Sequence, residues 1–337
     1  MSTIKDVAKK AGVSISTVSL VINKKGYVAP DTRDKILNAI DDLNYKPLHS
    51  ARKLATQRTG NIGYIVWDAH FSEVEIFYSQ IFLGMEFAAR NSDHYILLTT
   101  VKEEFDPKND LPRFLKYKDV DGVVLAGRVP HSLIDYLEQQ GMPFVLVDYG
   151  IPGRIFNSIV IDNYNGAFQA VDQLVKSGKK NIGFVGGSYY HPSIKERYRG
   201  YTEALEANGL CPDGCLEKLR FLKNEETSPE IGQLGMQKLL SENTNLDGIF
   251  CCNDTTAIGV MNELKKQKVK IPNEISIVGF DDITSSSFCT PALSTVRVPK
   301  LDIGKEAYKL LTEIIESPKA TPQTRMISVE YIKRQSS

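Results

Sequence analysis

The sequence predicts two kinds of fold in one chain: an all-α helix-turn-helix head, followed by a larger α/β domain of two lobes. Residues 1–43 carry apolar side chains at helical spacing around a glycine turn. From residue 61 onward, apolar strands alternate with amphipathic helices. A length of 337 residues suits two or three domains better than one.

The first two helices of the head are predicted at residues 3–11 and 15–23. Thr3 and Asp6 form a capping-box pattern, and Gly12 ends the first helix because glycine tolerates a positive φ. Ser14 caps the second helix, which gives the spacing of a helix-turn-helix. The side chains predicted to face inward are Ile4, Val7, Ala8, Ala11, Val13, Val18, Val21 and Ile22.

A third helix is predicted at about residues 30–43, with Pro30 at its first position. Its predicted inward side chains are Ile36, Leu37, Ile40 and Leu43. Residues 44–60 then form a connector. Within it, residues 49–55 (HSARKLA) could make one or two helical turns, which are marginal without a partner.

The charge of the chain is unevenly distributed, although the total is zero. Residues 1–58 contain eleven Lys and Arg and five Asp, a formal charge of +6, so the remainder carries −6. A basic head indicates a polyanionic partner; the alternatives are a solvated basic face or a bundle that binds nothing. Nucleic acid is favoured because short polar side chains can approach bases and phosphates closely. Four such side chains line the outer face of the second helix: Ser16, Thr17, Ser19 and Asn23.

The α/β region is predicted to contain parallel sheets covered on both faces, because its strands are almost continuously apolar. The predicted strands are residues 61–67, 95–100, 122–127, 143–149, 158–162, 181–187, 248–254 and 276–282. The predicted helices include residues 77–90, 132–141, 164–177, 196–208, 228–241 and 255–267. Eight such strands suit two doubly wound lobes.

Acidic residues stand at or directly after the ends of five predicted strands: Asp68, Asp148, Asp162, Asp254 and Asp281. Ligands of parallel sheets bind outside the carboxyl ends of the strands. A carboxylate can accept two hydroxyl hydrogen bonds, so this pattern favours a cleft for a hydroxyl-rich ligand. The alternative for each residue is a helix cap.

Several other classes of protein are disfavoured. No apolar run reaches the roughly 18 residues of a membrane span, and no signal peptide is recognisable, so we expect a cytoplasmic protein. The five cysteines include no CxxC pair, and Cys211 and Cys215 are badly spaced from His191 for zinc. We therefore expect no disulfide, metal or cofactor. The histidines stand in no catalytic motif, so an enzyme is not expected.

The sequence resembles the LacI/GalR family of bacterial repressors from residue 3 to about residue 334. The resemblance is carried by TIKDVAKKAGVSISTVSLVIN, TRDKILNAIDDLNYKP, ARKL, TGNIGYI, VDGVVL, VIDN, ERYRGYTEAL, CNDTTAIGV, ISIVGFDD and TPALSTVRVP. The first of these segments is far more specific than a generic helix-turn-helix.

The resemblance implies a DNA-binding head at residues 1–46, a hinge helix and linker at 47–60, and an effector-binding and dimerisation domain at 61–337. The effector domain would be periplasmic-binding-protein-like (type I). Its lobes would comprise residues 61–162 with 291–322, and 163–290 with 323–337. The family acts as homodimers on pseudo-palindromic operators, and symmetric dimers read symmetric half-sites.

The resemblance also implies which residues contact double-stranded operator DNA. Ile15, Ser16 and Leu20 match base-reading positions, and Leu20 replaces the Arg or His of many members, so an apolar contact is expected there. Leu54 matches a leucine that wedges into the minor groove, with Ala51 beside it. The residues that look like phosphate contacts are Thr3, Ser14, Thr17 and Asn23.

Two residues depart from the family pattern. Leu48 stands where Asn usually starts the hinge helix, and Ser50 is an alternative cap there. Ala29 stands where Ser usually caps the third helix, and loss of such a cap costs about 1 kcal/mol. Neither change removes a DNA-reading group.

For the effector, Arg197 matches the ligand arginine of the family, three residues before Gly200. Phe77 and Tyr78 lie where aromatic residues line the first lobe, although plain core packing is an alternative for Phe77. Asn253 and Asp254 resemble sugar-responsive members, so a sugar is favoured over a purine. The matching acidic positions are Asp148, Asp162, Asp254 and Asp281.

Three alternatives stay open at this point. Within the family, the chain could respond to a purine or to a phosphorylated partner protein instead of a sugar. A sugar-binding protein without a DNA role would not need the basic head.

No leucine heptad follows YIKRQSS, so a dimer is the simplest expectation. The effector could either weaken or strengthen operator binding.

Overall fold

The computed structural model describes residues 2–22, 26–45, 58–71, 77–187, 191–210, 227–242, 245–318 and 321–337. The chain divides into two compact units, Met1–Gly60 and Asn61–Ser337. The predictions for Asn23, Leu48, Ser50, Ala51 and Leu54, and with them most of the hinge segment 47–60, lie outside the described residues.

The first unit contains three helices: α1 (Ile4–Ala11), α2 (Ile15–Ile22) and α3 (Pro30–Asp42). The predicted capping box is confirmed, since the side chains of Thr3 and Asp6 each bind the backbone N–H of the other. Gly12 has a φ of 67°, the left-handed conformation that ends α1. As predicted, Ala29 is the N-cap residue of α3 and provides no side-chain cap.

The three helices share one apolar core. Val7, Val18 and Ile36 have no exposed surface and come from α1, α2 and α3 in turn. The prediction for Leu37 is wrong, because its side chain is 45% exposed. Ile36 and Ala39 of α3 are buried, Ile40 and the C-cap residue Leu43 are partly buried beside them, and Leu37 lies about 100° away from Ile36 around the helix.

The second unit begins with five strands: β1 (Asn61–Trp67), β2 (Tyr95–Val101), β3 (Gly122–Ala126), β4 (Phe144–Val147) and β5 (Ser158–Ile161). Their intervening helices are α4 (Phe77–Ala89), α5 (Arg113–Lys116) and α6 (His131–Gln139). A short 3-10 turn, Asp68–His70, follows β1. Every residue of β3 is buried, which shows that both faces of this sheet are covered.

The second lobe has three strands: β6 (Ile182–Val185), β7 (Gly248–Cys251) and β8 (Ser276–Val278). Its helices are α7 (Asn163–Lys176), α8 (Pro192–Ala207), α9 (Pro229–Glu242), α10 (Asp254–Lys266) and α11 (Thr284–Phe288). The three strands form a parallel sheet in the order β6-β7-β8.

The C-terminal region crosses between the lobes. It contains β9 (Thr295–Arg297), α12 (Lys300–Glu316), β10 (Thr324–Ile327) and β11 (Glu330–Ile332). Strand β10 pairs in parallel with β5, so the first sheet has the order β10-β5-β4-β3-β1-β2. Strand β9 pairs with β11. Ser294, directly before β9, forms a bridge with Val278 of β8, and Arg297 of β9 forms one with Asp281.

These pairings differ from the lobe boundaries expected from the sequence. Residues 323–337 were expected in the second lobe, but the backbone of β10 completes the first sheet. Residues 291–322 were expected in the first lobe, but Ser294, directly before β9, bridges Val278 at the end of β8. Helix α12 of that segment packs on the first lobe, against α4. The chain therefore crosses before α12 and again after β10.

Helices α4 and α12 pack with their backbones almost in contact. A Cβ added at Gly84 of α4 would lie 2.0 Å from the carbonyl oxygen of Leu301, and one at Gly304 of α12 would lie 2.0 Å from that of Ile81. This contact fixes the position of α4, which begins with Phe77 and Tyr78. None of the helices in the described ranges is long and apolar enough to cross a membrane.

Candidate nucleic-acid interface and ligand cleft

Two predicted phosphate contacts of the first unit act as helix caps. The Oγ of Ser14 accepts a hydrogen bond of 3.1 Å from the backbone N–H of Thr17, and the two hydroxyls lie 2.8 Å apart. Thr3 caps α1 in the same manner and is exposed. Because free N–H groups at a helix N-terminus attract anions, the start of α2, which has no acidic residue in its first turn, is suited to a phosphate.

Helix α2 has one buried and one exposed face. Val18 and Val21 pack into the core, whereas Ile15 is 45% exposed and Leu20 is 39% exposed. Ser16 is also exposed. The structure thus leaves two apolar side chains and a hydroxyl on the outer surface of α2, where the sequence placed the base-reading residues.

A cavity of about 790 Å³ lies between the lobes of the second unit. The carboxyl ends of strands from both sheets meet there: Trp67 ends β1, Asp148 follows β4 and Cys252 follows β7. This is the place at which parallel sheets bind ligands. Five of the seven residues predicted for effector binding line it: Phe77, Tyr78, Asp148, Arg197 and Asp281.

Asp148 joins side chains from both lobes. Its Oδ2 accepts a hydrogen bond of 3.2 Å from the hydroxyl of Tyr78 on α4, and its Oδ1 accepts one of 2.6 Å from Ser193 on α8. Asp148 has a φ of 55°, a left-handed conformation that Asp tolerates better than most residues. The carboxylate is therefore held between the lobes and can accept further hydrogen bonds at its remaining lone pairs.

Arg197 is buried, and each of its three nitrogens has a partner within the protein. Its Nε donates to Oδ1 of Asn163 at 2.7 Å, and its Nη1 donates to the carbonyl of Cys252 at 2.6 Å. Its Nη2 lies 3.1 Å from Oδ1 of Asp281, and its Cζ lies 3.8 Å from the ring centre of Phe280. Such pairing offsets the cost of burying a charge, and it fixes the guanidinium at the wall of the cavity.

Asp281 and Phe77 complete this wall. Asp281 has a φ of 105°, a strained backbone conformation of the kind that clusters at binding sites. Phe77 is 5% exposed and lies edge-on to Tyr78. The Nζ of Lys300 lies 5.7 Å from the ring centre of Phe77, and burial lowers the pKa of this lysine. Phe77 therefore lines the cavity and also belongs to the core.

Asp162 caps a helix and lies beside the main cavity. Its Oδ1 accepts a hydrogen bond of 3.3 Å from the backbone N–H of Asn165 at the start of α7. Both of its carboxylate oxygens also bind the amide of Asn165. Asp162 lines a neighbouring cavity of about 580 Å³, which shares Asp148 and Ser193 with the main one.

Asp254 is corrected from a cleft residue to a buried structural carboxylate. It has no exposed surface, and its oxygens accept hydrogen bonds from Thr295 at 2.5 Å, Ser286 at 2.6 Å and the backbone of Ile283 at 2.9 Å. Burial raises its pKa from 3.8 to about 6. At this strand end it is the preceding residue, Asn253, that lines the cavity.

Sequence reasoning missed several residues of the cavity, because it looked for acidic residues at strand ends and for family positions. Trp67 ends a predicted strand and Arg128 directly follows another, so strand ends alone could have identified both. The side chains that line the cavity but were not predicted include Trp67, His70, Glu103, Arg128, His131, Tyr149 and Ser193.

Two family models match the chain. Residues 3–47 match the model described as bacterial regulatory proteins, lacI family, and residues 171–337 match a periplasmic binding protein-like domain. A curated relative, the HTH-type transcriptional regulator RegA of Clostridium saccharobutylicum, is 32% identical over 99% of this chain and 99% of its own. The HTH-type transcriptional repressor PurR of Haemophilus influenzae is 36% identical over 94% of this chain and 91% of its own.

Solved structures show the same architecture. A complex of the transcriptional regulator CelR with cellobiose has a TM-score of 0.74 and is 27% identical, covering 100% of both chains. The helix-turn-helix head and the two-lobed periplasmic-binding-protein-like domain predicted from the sequence are thereby confirmed.

Proposed function

Since the chain belongs to the LacI family of bacterial regulatory proteins, and is thus a DNA-binding transcriptional regulator, we propose that it is a repressor controlled by a sugar. The sugar would occupy the cavity between the lobes and change the affinity of the head for operator DNA. The repressor role is supported by the relative from Haemophilus influenzae, which is named a transcriptional repressor.

One observation carries the sugar proposal: Asp148, Arg197 and Asp281 stand together, buried, at the wall of a large cavity. Carboxylates accept hydrogen bonds from sugar hydroxyls, and a guanidinium donates hydrogen bonds to sugar hydroxyls. Tyr78 and Phe77 supply aromatic surface for the apolar face of a sugar ring. The cellobiose bound by CelR, a structural neighbour, supports the same class of ligand.

For DNA, the proposed base contacts are Ile15, Ser16 and Leu20 on the exposed face of α2. Thr3, Ser14 and Thr17, at the starts of α1 and α2, would contact phosphates. We expect a homodimer on two half-sites, since one head reads only a short segment of the major groove. The regulator would act without catalysis.

A thermal-shift screen of the full-length protein tests the effector class, because a ligand stabilises the state it binds. We expect at least one sugar, and no nucleobase, to raise the unfolding midpoint of the second unit. Asp148→Asn should abolish this rise, whereas Glu274→Gln, at an exposed carboxylate away from the cavity, should retain it. A rise with nucleobases alone would contradict the proposal.

A further inference from the structure

The cavity between the lobes has an inner and an outer part that differ in exposure. The inner cluster is nine-tenths buried or more and consists of Tyr78, Asp148, Ser193, Arg197 and Asp281. The outer cluster is half-buried or exposed and consists of Trp67, Glu103, Arg128, His131 and Tyr149. The sugar contacts proposed above come from the inner cluster and from Phe77, and none of them involves the outer cluster.

The two clusters are joined by a row of aromatic rings. Trp67 lies edge-on to His70, with 4.9 Å between ring centres, and His70 stacks on Tyr78 at 5.0 Å. Tyr78 in turn donates its hydroxyl to Asp148. One wall of the cavity therefore offers aromatic surface continuously from the inner cluster to its mouth.

The outer cluster offers both donors and acceptors without excess charge. The Nη2 of Arg128 lies 2.5 Å from Oε1 of Glu103, and its Cζ lies 5.7 Å from the ring centre of Trp67. On the other side, Nε2 of His131 lies 2.9 Å from the hydroxyl of Tyr149. Because the guanidinium is neutralised by the carboxylate, this surface suits hydroxyl groups, which both donate and accept, better than a phosphate.

The volume of the cavity is larger than a single sugar ring requires. About 790 Å³ lies near the upper end of the roughly 300–1,000 Å³ found for sites of drug-sized ligands. A single hexose is smaller than such ligands. If it contacted Asp148 and Arg197, it would leave the outer cluster in contact with water.

We propose that the outer cluster is a second sugar subsite and that the effector is a neutral disaccharide. Its first ring lies against Asp148 and Arg197, and its second ring lies against Trp67, between Glu103 and Tyr149. This assignment rests on the proposed function, since both sugar rings would occupy the same cavity.

Isothermal titration of the full-length protein tests the second subsite. The disaccharides are cellobiose, maltose, lactose, sucrose, trehalose and melibiose; their hexoses and glucose 6-phosphate are titrated beside them. We expect at least one disaccharide to bind ten times more tightly than either of its hexoses. Hexoses that bind as tightly as the disaccharides, or a preference for the phosphorylated sugar, would overturn the proposal.

Variants at the outer cluster locate the second ring. Glu103→Gln and Trp67→Ala should weaken the disaccharide at least fivefold and change hexose binding less than twofold. Glu104→Gln, at an exposed neighbouring residue outside the lining, is the matched control and should change neither. An equal loss for both classes of sugar would overturn the subsite alone. Failure of every sugar to bind would overturn the proposed function and the subsite with it.

Discussion

Leu20 is an exposed apolar residue at a position where the family resemblance implies base reading. Its side chain is 39% exposed on α2, near Gly26. An apolar side chain cannot form the paired hydrogen bonds with guanine that an arginine forms. It can contact the methyl group of thymine in the major groove. Readout at this position would then depend on a methyl group.

Replacement of thymine by deoxyuridine removes only that methyl group. The half-site is first selected from random duplexes with the full-length protein. We expect one such replacement in it to weaken binding about fourfold, because burial of a methyl-sized group contributes about 0.8 kcal/mol. The Leu20→Ala variant should lose most of this sensitivity. Fluorescence anisotropy of the four protein–DNA pairs measures the coupling, and equal losses for both proteins would exclude the contact.

Asp254 shows a different consequence of burial. Its carboxylate ties α10 to α11 and β9 through the hydroxyls of Ser286 and Thr295. Burial raises its pKa from 3.8 to about 6. Between these pH values the folded protein binds more protons at this site than the unfolded chain does. The stability that Asp254 contributes is therefore present at low pH and is lost as pH rises through about 6.

The Asp254→Asn variant should lack this pH dependence. We expect the free energy of unfolding of the wild type, relative to the variant, to fall by up to about 3 kcal/mol between pH 4 and pH 7. Denaturant unfolding of both proteins, followed on the second unit, gives this difference at each pH. A difference that stays constant with pH would show that the folded-state pKa is not raised.

At the scale of elements, the contact between α4 and α12 is set by glycines. Gly84→Ala would place a Cβ 2.0 Å from the carbonyl oxygen of Leu301, so the helices must separate. We expect a loss of about 1–3 kcal/mol, as for other overpacked cores. Differential scanning calorimetry should show a midpoint several degrees lower.

Gly150→Ala is the matched control for this substitution. Among the described residues no atom would lie within 4 Å of the added Cβ, and Gly150 does not have a left-handed φ. Its midpoint should stay near that of the wild type. Equal midpoints for the two variants would contradict the close packing of α4 on α12.

The long elements could be predicted from the sequence because their signal is local. Apolar runs and helical periodicity placed β1 at residues 61–67 as observed, and α7 within one residue at each end. The short strands β9, β10 and β11 have three or four residues and no period of their own. Their pairing depends on distant partners, such as β5 for β10, which explains why the predicted lobe boundaries were wrong there.

Strand-end reasoning could predict only part of the candidate site. Asp148 and Asp281 lie in the cavity, whereas Asp162 caps a helix and Asp254 is buried away from it. In a parallel sheet the residue after a strand is also the residue before a helix, where Asp is a favoured cap. The same residue type therefore serves both purposes, and only tertiary contacts distinguish them.

At the scale of the whole molecule, one chain combines a basic head with a domain that contains a large cavity. Residues 1–58 carry a formal charge of +6 and the remainder −6, so attraction to DNA resides in the head. The cavity lies in the second unit. A sugar can regulate operator binding only if its affinity differs between the DNA-binding form and the other form of the protein.

Operator affinity with and without the sugar tests this claim most directly. The measurement is fluorescence anisotropy of a selected operator duplex titrated with the full-length protein, with the tightest-binding sugar absent or saturating. We predict that the sugar changes the dissociation constant about 5–150-fold, and that Asp148→Asn removes the change while retaining affinity for DNA. A protein that holds no duplex at low ionic strength, or whose operator affinity is the same with the sugar bound, would contradict the account.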